Sequence, residues 1–359
     1  MNRRLEHIDA LRGLAALAII LFHLVRVPNP NLPVPDYLNF IPSRFGLGVP
    51  MFFIISGFSI YYSLSSRKLG NKWVAKFFLR RYFRLAPLFY FMLGFFFIRG
   101  ALRGNIHSFH DVVINLLLVY NLFPGKEQSI VWAGWPISIE IFFYLAVPFF
   151  YRFIDSFWKS ILLLLFSIFL SGQFHNFLGT LGGIPEGYHY KNIATHLPFL
   201  SIGIVSFFVH KEIAAKRKKN NAICTLLAIF VALFLLVKAG TVTLPFQLKF
   251  YDKYLWGVFL ASILVLLGSF KLKIFVNPVT EYFGKISYSL YLGHPFIIYS
   301  LGPCYQKIYH LIDSNLPAFL LCVLLTVPLV ILVASLLYYL IENPVRNFSY
   351  ARINKYCHC

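Results

Sequence analysis

Charge is scarce in this chain of 359 residues: Asp, Glu, Lys and Arg together make up 13%, about half the share of an ordinary soluble domain. That shortage excludes a soluble globular protein. Low hydrophobicity, periodic glycine and dense cysteine are missing as well, which removes disorder, a collagen-like fibre and a disulfide-stapled domain. The five cysteines (Cys224, Cys304, Cys322, Cys357 and Cys359) show no paired spacing before the terminal Cys-His-Cys, which is too short to make a zinc site alone. No metal-binding pattern occurs. Walker and dinucleotide-binding glycine motifs and a Gly-x-Ser-x-Gly elbow are equally missing, as are internal repeats and low-complexity linkers.

What fills the chain instead is apolar: 58% of the residues are hydrophobic, roughly enough for ten stretches of the 20 or so residues that cross a hydrocarbon core. The sequence therefore predicts an all-α, polytopic membrane helical bundle. Basic residues outnumber acidic ones 33 to 13, a net charge of +20, which in a soluble chain would suggest a nucleic-acid partner. The membrane accounts for it better, because Lys and Arg collect in cytoplasmic loops and so fall in blocks between spans. Arg67 to Arg84 holds seven basic residues and no acid, Lys211 to Lys219 holds five opposed only by Glu212, and Pro28 to Ser43 holds none. No nucleic-acid partner is expected.

Apolar stretches lie near residues 11–27, 45–64, 85–98, 111–123, 135–151, 160–175, 197–210, 221–238, 254–270, 286–302 and 316–341. Both ends are basic (Arg3 and Arg4; Arg346, Arg352 and Lys355), so both are expected in the cytoplasm, which requires an even number of crossings. The piece that breaks the count is 111–123. It is short and carries Asp111, Asn115 and Asn121, and reads as an interfacial or re-entrant helix. About ten transmembrane helices remain, in one domain over residues 1–346 with a short basic cytoplasmic tail at 347–359.

An ionisable group inside a span is costly and needs a partner, a watery cavity or a task. On the first span Asp9, Arg12 and His23 fall within about 60° of one another around the helix, with Arg12 and His23 roughly 16 Å apart along its axis. An (i, i+3) pair plus an interfacial histidine would explain them structurally. In WAGWPISIEIFFYLAVP, Trp135 and Pro136 mark a helix start and Glu140 stands about 8 Å below the outer surface, near the depth expected for His23. A carboxylate and an imidazole at one depth suit hydroxyl activation; the bland reading is a Glu bonded to Arg or backbone.

Arg80 and Arg84 share a helix face beside Arg81 and suit bidentate phosphate binding, although positive-inside topology alone also predicts basic residues there. His294 lies half-way along a hydroxyl-rich span with Ser287, Tyr288, Ser289 and Tyr291, which reads as a cavity wall or as packing glue. Gly46, Gly48, Ser56 and Gly57 read as close-packing residues. Glu342 and Arg346 read as a structural (i, i+4) pair.

The strings RLEHIDALRGLAALAIILFH, GLGVPMFFIISGFSI, RRYFRLAP, WPISIEIFFYLAVP, FGKISYSLYLGHP and YYLIENPVR resemble, in order and across nearly the whole chain, the acyltransferase-3 family of membrane acyltransferases. The resemblance implies an O-acetyltransferase that moves an acyl group, commonly acetyl from cytoplasmic acetyl-CoA or another acyl-CoA, to a hydroxyl of a carbohydrate acceptor beyond a bacterial inner membrane, with no permanently bound cofactor. It carries over to Arg12, His23, Arg80, Arg81, Arg84, Ser138, Glu140 and His294. Pro136-Ile137-Ser138 stands where Ser-Leu-Ser is common in the family, so the role of a first serine is missing. On this expectation His23 and Glu140 are catalytic, with His23, oriented by Glu140, acting as general base or as a transient acyl-imidazole nucleophile. Arg12, Arg80, Arg81 and Arg84 bind the donor, and Asp9, Trp135, Ser138, Tyr291 and His294 line the cavity. The pantetheine arm, roughly 15–20 Å when extended, spans most of the distance between the two mouths. The competing expectation is a proton-coupled transporter or flippase using the same buried charges, against which no pseudo-repeated halves appear. The outer segments 28–44, 99–134 and 176–196 carry no readable acceptor code, and nothing in the sequence bears on oligomeric state.

Overall fold

A computed structural model describes residues 5–66, 70–215, 249–270 and 272–356, with isolated positions between 227 and 234. The span expected at 221–238 therefore falls largely outside the described residues, as do Arg3, Arg4, Cys224 and the terminal Cys357-His358-Cys359. Among the described residues every regular element is helical. They are α1 (Glu6–Arg26), α2 (Phe40–Arg44), α3 (Gly48–Ser65), α4 (Trp73–Leu102), α5 (Phe109–Leu116), α6 (Trp135–Phe153), α7 (Phe157–Thr180), α8 (Glu186–Lys191), α9 (Ile193–Ala215), α10 (Lys249–Ser269), α11 (Pro278–Lys285), α12 (Ser287–Ser300), α13 (Gly302–Leu311), α14 (Asn315–Leu337), a π-helical segment (Tyr338–Glu342) and α15 (Asn343–Tyr356).

Eight helical stretches among the described residues are long and apolar enough to cross a membrane, which makes the protein a polytopic helical membrane protein. The span expected at 286–302 appears as α12, only 14 residues long and shorter than a usual crossing. Between α4 and α6 the chain makes only the eight-residue α5 and a 3-10 turn at Tyr120–Leu122, too short to cross. Ser108 and Asp111 start α5 with a capping box, each side chain bonded to the other's backbone N–H.

The chain divides into two compact units, one of residues 1–12, 50–69 and 145–282 and one of residues 13–49, 70–144 and 283–359. The expected boundary at 346 falls inside α15, which is continuous from Asn343 to Tyr356. In the first unit α9 packs against α7 and α10. The side chains of Phe199, Leu200, Ile202 and Ile204 on α9 are nearly fully buried, whereas Trp158, Leu162, Phe166 and Phe169 on α7 are more than half exposed. An apolar side chain gains nothing by leaving hydrocarbon for a protein core, so such exposure marks a lipid-facing surface. The α3–α9 crossing is made by glycine: a Cβ on Gly57 would overlap the Leu200 carbonyl oxygen, and one on Gly203 would overlap that of Ile54.

In the second unit α12 packs on α14, and α15 on α4. Gly48 touches α1, where a Cβ would come within 2.6 Å of the Ala15 carbonyl oxygen. The small residues of the third helix thus serve close helix approach, as their spacing suggested.

The segment following α5 is tied down from inside. Asn115, 2% exposed, accepts from Ser129 Oγ at 2.6 Å and from the Ile130 backbone N–H at 3.1 Å, and donates to the Asp111 carbonyl at 2.8 Å. Asn115→Ala is expected to lower stability by about 2 kcal/mol, because the buried Ile130 N–H loses its acceptor. Thermal unfolding and protease cleavage within 123–130 are the readouts, and an unchanged cleavage rate contradicts the assignment.

Candidate active site

The two histidines that the sequence treated separately are partners. His23 on α1 and His294 on α12 face each other with ring centroids 4.9 Å apart, and His23 Nδ1 lies 3.0 Å from His294 Nε2. His294 is fully buried, with Tyr291 5.8 Å away, ring to ring. The backbone settles where the protons sit. His294 Nδ1 meets the Leu290 carbonyl at 3.1 Å and His23 Nδ1 meets the Ile19 carbonyl at 3.0 Å. Carbonyls only accept, so each neutral ring carries its hydrogen on Nδ1 and leaves Nε2 bare. His294 Nε2 therefore accepts from His23 Nδ1–H, which is shared with Ile19. His23 is half-buried, and its Nε2 takes no hydrogen bond from a described residue. A neutral imidazole with its Nδ1–H doubly held and its Nε2 lone pair uncommitted is the form a general base needs.

The structure gives Glu140 other neighbours beside those expected: the Tyr144 hydroxyl, one turn further along α6, donates to the Glu140 carboxylate, and Arg84 lies within electrostatic reach of Glu140, Tyr144 and Glu342, while the His23 ring is held by His294 and the Ile19 carbonyl. Equal depth along two helices was the basis for pairing Glu140 with His23, and depth says nothing of the angle each side chain takes around its helix. Glu342 completes the polar network. It is 4% exposed, accepts from Ser289 Oγ at 2.8 Å and pairs with Arg346 at 3.4 Å. The Glu342–Arg346 pair read as structural is present, extended by Ser289 from the hydroxyl-rich helix.

Arg80, Arg81 and Arg84, in the first half of α4, point to different neighbours. Arg80 donates to Asn354 on α15 at 2.6 Å and lies over the Tyr350 ring at 5.7 Å. Arg81 stacks on Tyr144 at 5.3 Å and on Phe77 at 5.6 Å, and Arg84 turns towards the carboxylates. Arg80 and Arg84 share a helix face but do not form one joint grip. Ser138 on α6 is completely buried and its Oγ has no hydrogen-bond partner among the described residues; Trp135 is 8% exposed at the helix start. Arg12 belongs with Asp9, at 3.7 Å, and with Ser59 on α3, at 3.4 Å, all in the first unit. Within the second unit the structure thus unites His23 with His294 and Tyr291, and Glu140 with Arg84; within the first, Asp9 pairs with Arg12. Among the described residues no cluster of three or more His, Cys, Asp or Glu has the makings of a metal site.

Sequence reasoning passed over Arg99 and Arg103, although an arginine at the supposedly outer end of a span breaks the positive-inside pattern and was a readable signal.

A family model described as an acyltransferase domain matches residues 5–335. A protein of Staphylococcus aureus strain COL, named "Putative O-acetyltransferase", is 24% identical over 98% of this chain and 59% of its own length. The peptidoglycan O-acetyltransferase OatA of Listeria monocytogenes is 26% identical over 95% of this chain and 55% of its own. The chain thus spans a little over half the length of the curated relatives it matches. No solved structure matches.

Proposed function

Because the chain belongs to the acyltransferase-3 family, we propose that it is a membrane O-acetyltransferase moving an acetyl group from cytoplasmic acetyl-CoA to a hydroxyl of a carbohydrate beyond a bacterial inner membrane. The observation that carries this reading is the His23–His294 pair with its bare Nε2. The relatives' names, O-acetyltransferase and peptidoglycan O-acetyltransferase, support the acetyl group and a glycan acceptor.

In this reading His23 Nε2 takes the proton of the acceptor hydroxyl as its oxygen attacks the thioester carbonyl. The new C–O bond forms, the C–S bond breaks, and the CoA thiolate leaves with the proton returned from Nε2. While His23 is an imidazolium its Nδ1–H is held by His294 Nε2 and the Ile19 carbonyl, two acceptors that favour the charged form. Three arginines in the first half of α4 receive the donor: Arg81 and Arg84 serve the phosphates, since a planar guanidinium matches phosphate oxygens, and Arg80 supports them from its anchorage on α15. Basic flanks favour cytoplasmic termini, with Arg80, Arg81 and Arg84 on the donor side and the segment before α6 on the acceptor side.

Acetyl-CoA radiolabelled on the acetyl carbon, supplied to inside-out vesicles carrying this protein and the native glycan, is expected to leave label covalently bound to lumenal glycan and released by mild alkali. Label that stays in CoA while unmodified solute crosses the membrane contradicts the proposal.

A further inference from the structure

One end of α4 holds two arginines and no carboxylate. Arg99 is covered by aromatic rings, with its guanidinium carbon 4.6 Å from the Trp132 centroid, 5.1 Å from Tyr299 and 5.6 Å from Phe296. Arg103 lies 5.6 Å over Tyr299 and donates to its hydroxyl at 3.3 Å. Rings stacked on a guanidinium fix its plane and take no hydrogen from it, so the N–H groups at its edge stay available. One of them, Arg99 Nη2, is buried and has no hydrogen-bond partner among the described residues. A desolvated cationic donor without an acceptor is costly unless a ligand supplies one.

The anions of the preceding segment are committed elsewhere. Asp111 pairs with Lys126 at 2.8 Å, a contact that holds its carboxyl below the usual carboxylate range; Glu127 accepts from the Gly125 N–H at 2.7 Å. The loop presenting Trp132 is built at a cost. Leu118, Ser129 and Ala133 have φ of 59°, 69° and 59°, a left-handed conformation that side chains disfavour. Asn115 holds Ser129 and Ile130, and the Tyr120 hydroxyl donates to the Gly134 carbonyl at 2.6 Å. The strain is thus placed beside the aromatic residue that covers Arg99. Tyr299, 45% exposed, leaves the cluster accessible, and it stands five residues beyond His294 on α12, about 7.5 Å along the axis.

We infer that Arg99, caged by Trp132, Phe296 and Tyr299 and seconded by Arg103, is the part of the acceptor site that reads an anion, so that the preferred acceptor is a sugar bearing a carboxylate. This rests on the acyl-transfer reading for the word acceptor; the anion site rests on the cage alone. A planar fork with free edge donors binds a carboxylate in two parallel hydrogen bonds. The same chemistry would take a lipid phosphate, and the experiment separates the two.

Wild-type protein in phosphatidylcholine nanodiscs is titrated by equilibrium dialysis with trigalacturonate and with its carboxyl-reduced, neutral counterpart. The acid is expected to bind roughly tenfold tighter or more, the scale of one charge-assisted hydrogen bond. Arg99→Gln is expected to erase that preference while leaving the neutral sugar unchanged, and Arg99→Lys, which keeps the charge and loses the fork, to reduce it. Each variant is first required to be monodisperse with the wild-type helical spectrum; should Arg99→Gln fail this, Arg99→Lys and the neutral-versus-acid comparison in the wild type decide. Equal binding of the two sugars, or an acid preference that survives loss of Arg99, overturns the inference. So does loss of the preference when phosphatidylglycerol is added to the discs at constant ionic strength, which assigns the cage to a headgroup. His23→Ala is expected to keep the preference for the acid over the neutral sugar. A preserved preference with transfer undiminished would refute the role of His23 and leave the anion site intact, so the two readings fail separately.

Discussion

His23→Ala is expected to reduce acetyl transfer at least a hundredfold, the lower range of what a positioned general base contributes, with membrane insertion and thermal stability near the wild type. His294→Phe is expected to cost about tenfold. It removes one of the two acceptors on His23 Nδ1–H but leaves the Ile19 carbonyl, so the tautomer persists and only part of the imidazolium's stabilisation is lost. The double variant should then be no worse than His23→Ala alone, because His294 acts only through His23. Glu140→Gln provides the contrast. Glu140 bonds Tyr144 and sits near Arg84, one of the proposed donor arginines, so its loss should appear in the apparent KM for acetyl-CoA more than in kcat. Initial rates at varied acetyl-CoA decide the matter, and a kcat loss for Glu140→Gln equal to that of His23→Ala with unchanged KM would refute the assignment.

That contrast shows what the sequence could and could not tell. The helical class followed from composition alone, and the failure of 111–123 to cross was legible in Asp111 and Asn115, polar residues with no apolar turn on either side long enough to compensate. His23 and Glu140 were both conspicuous as ionisable groups in apolar runs. Which one met His294 was not legible, because partner choice depends on the rotation of α1, α6 and α12 about their axes, and periodicity fixes a face without fixing what lies opposite. The glycines behaved otherwise. Gly57 announced a close approach together with Gly48 and Ser56, but its partner on α9, Gly203, stands between Ile202 and Ile204 and was not singled out. Arg99 was legible as a basic residue on the wrong side of the positive-inside pattern, but not the rings around it, which come from a loop and a helix distant in sequence.

Gly203→Val should be the most damaging single change to the fold. A Cβ at 203 would overlap the Ile54 carbonyl oxygen and stand 2.9 Å from the Phe58 backbone nitrogen and 3.0 Å from the Ile54 carbonyl carbon. Every obstructing atom is backbone within α3, so no side chain can rotate away and the two helices have to separate. In lipid that separation is expensive for a specific reason: hydrocarbon solvates an apolar helix face as well as a protein does, so close van der Waals fit has little hydrophobic reserve behind it. Overpacking a good core typically costs about 1–3 kcal/mol where side chains can give way; with backbone on both sides the loss is expected at or above about 3 kcal/mol. Gly94 on α4 supplies the control, since a Cβ there meets nothing within 4 Å. Gly94→Ala should be neutral or gain the roughly 0.5–1 kcal/mol that separates alanine from glycine within a helix. Thermal unfolding of both variants in the same detergent gives the answer. Equal midpoints would mean that α3 and α9 do not cross at these glycines, and the core of the first unit would have to be redrawn around some other contact.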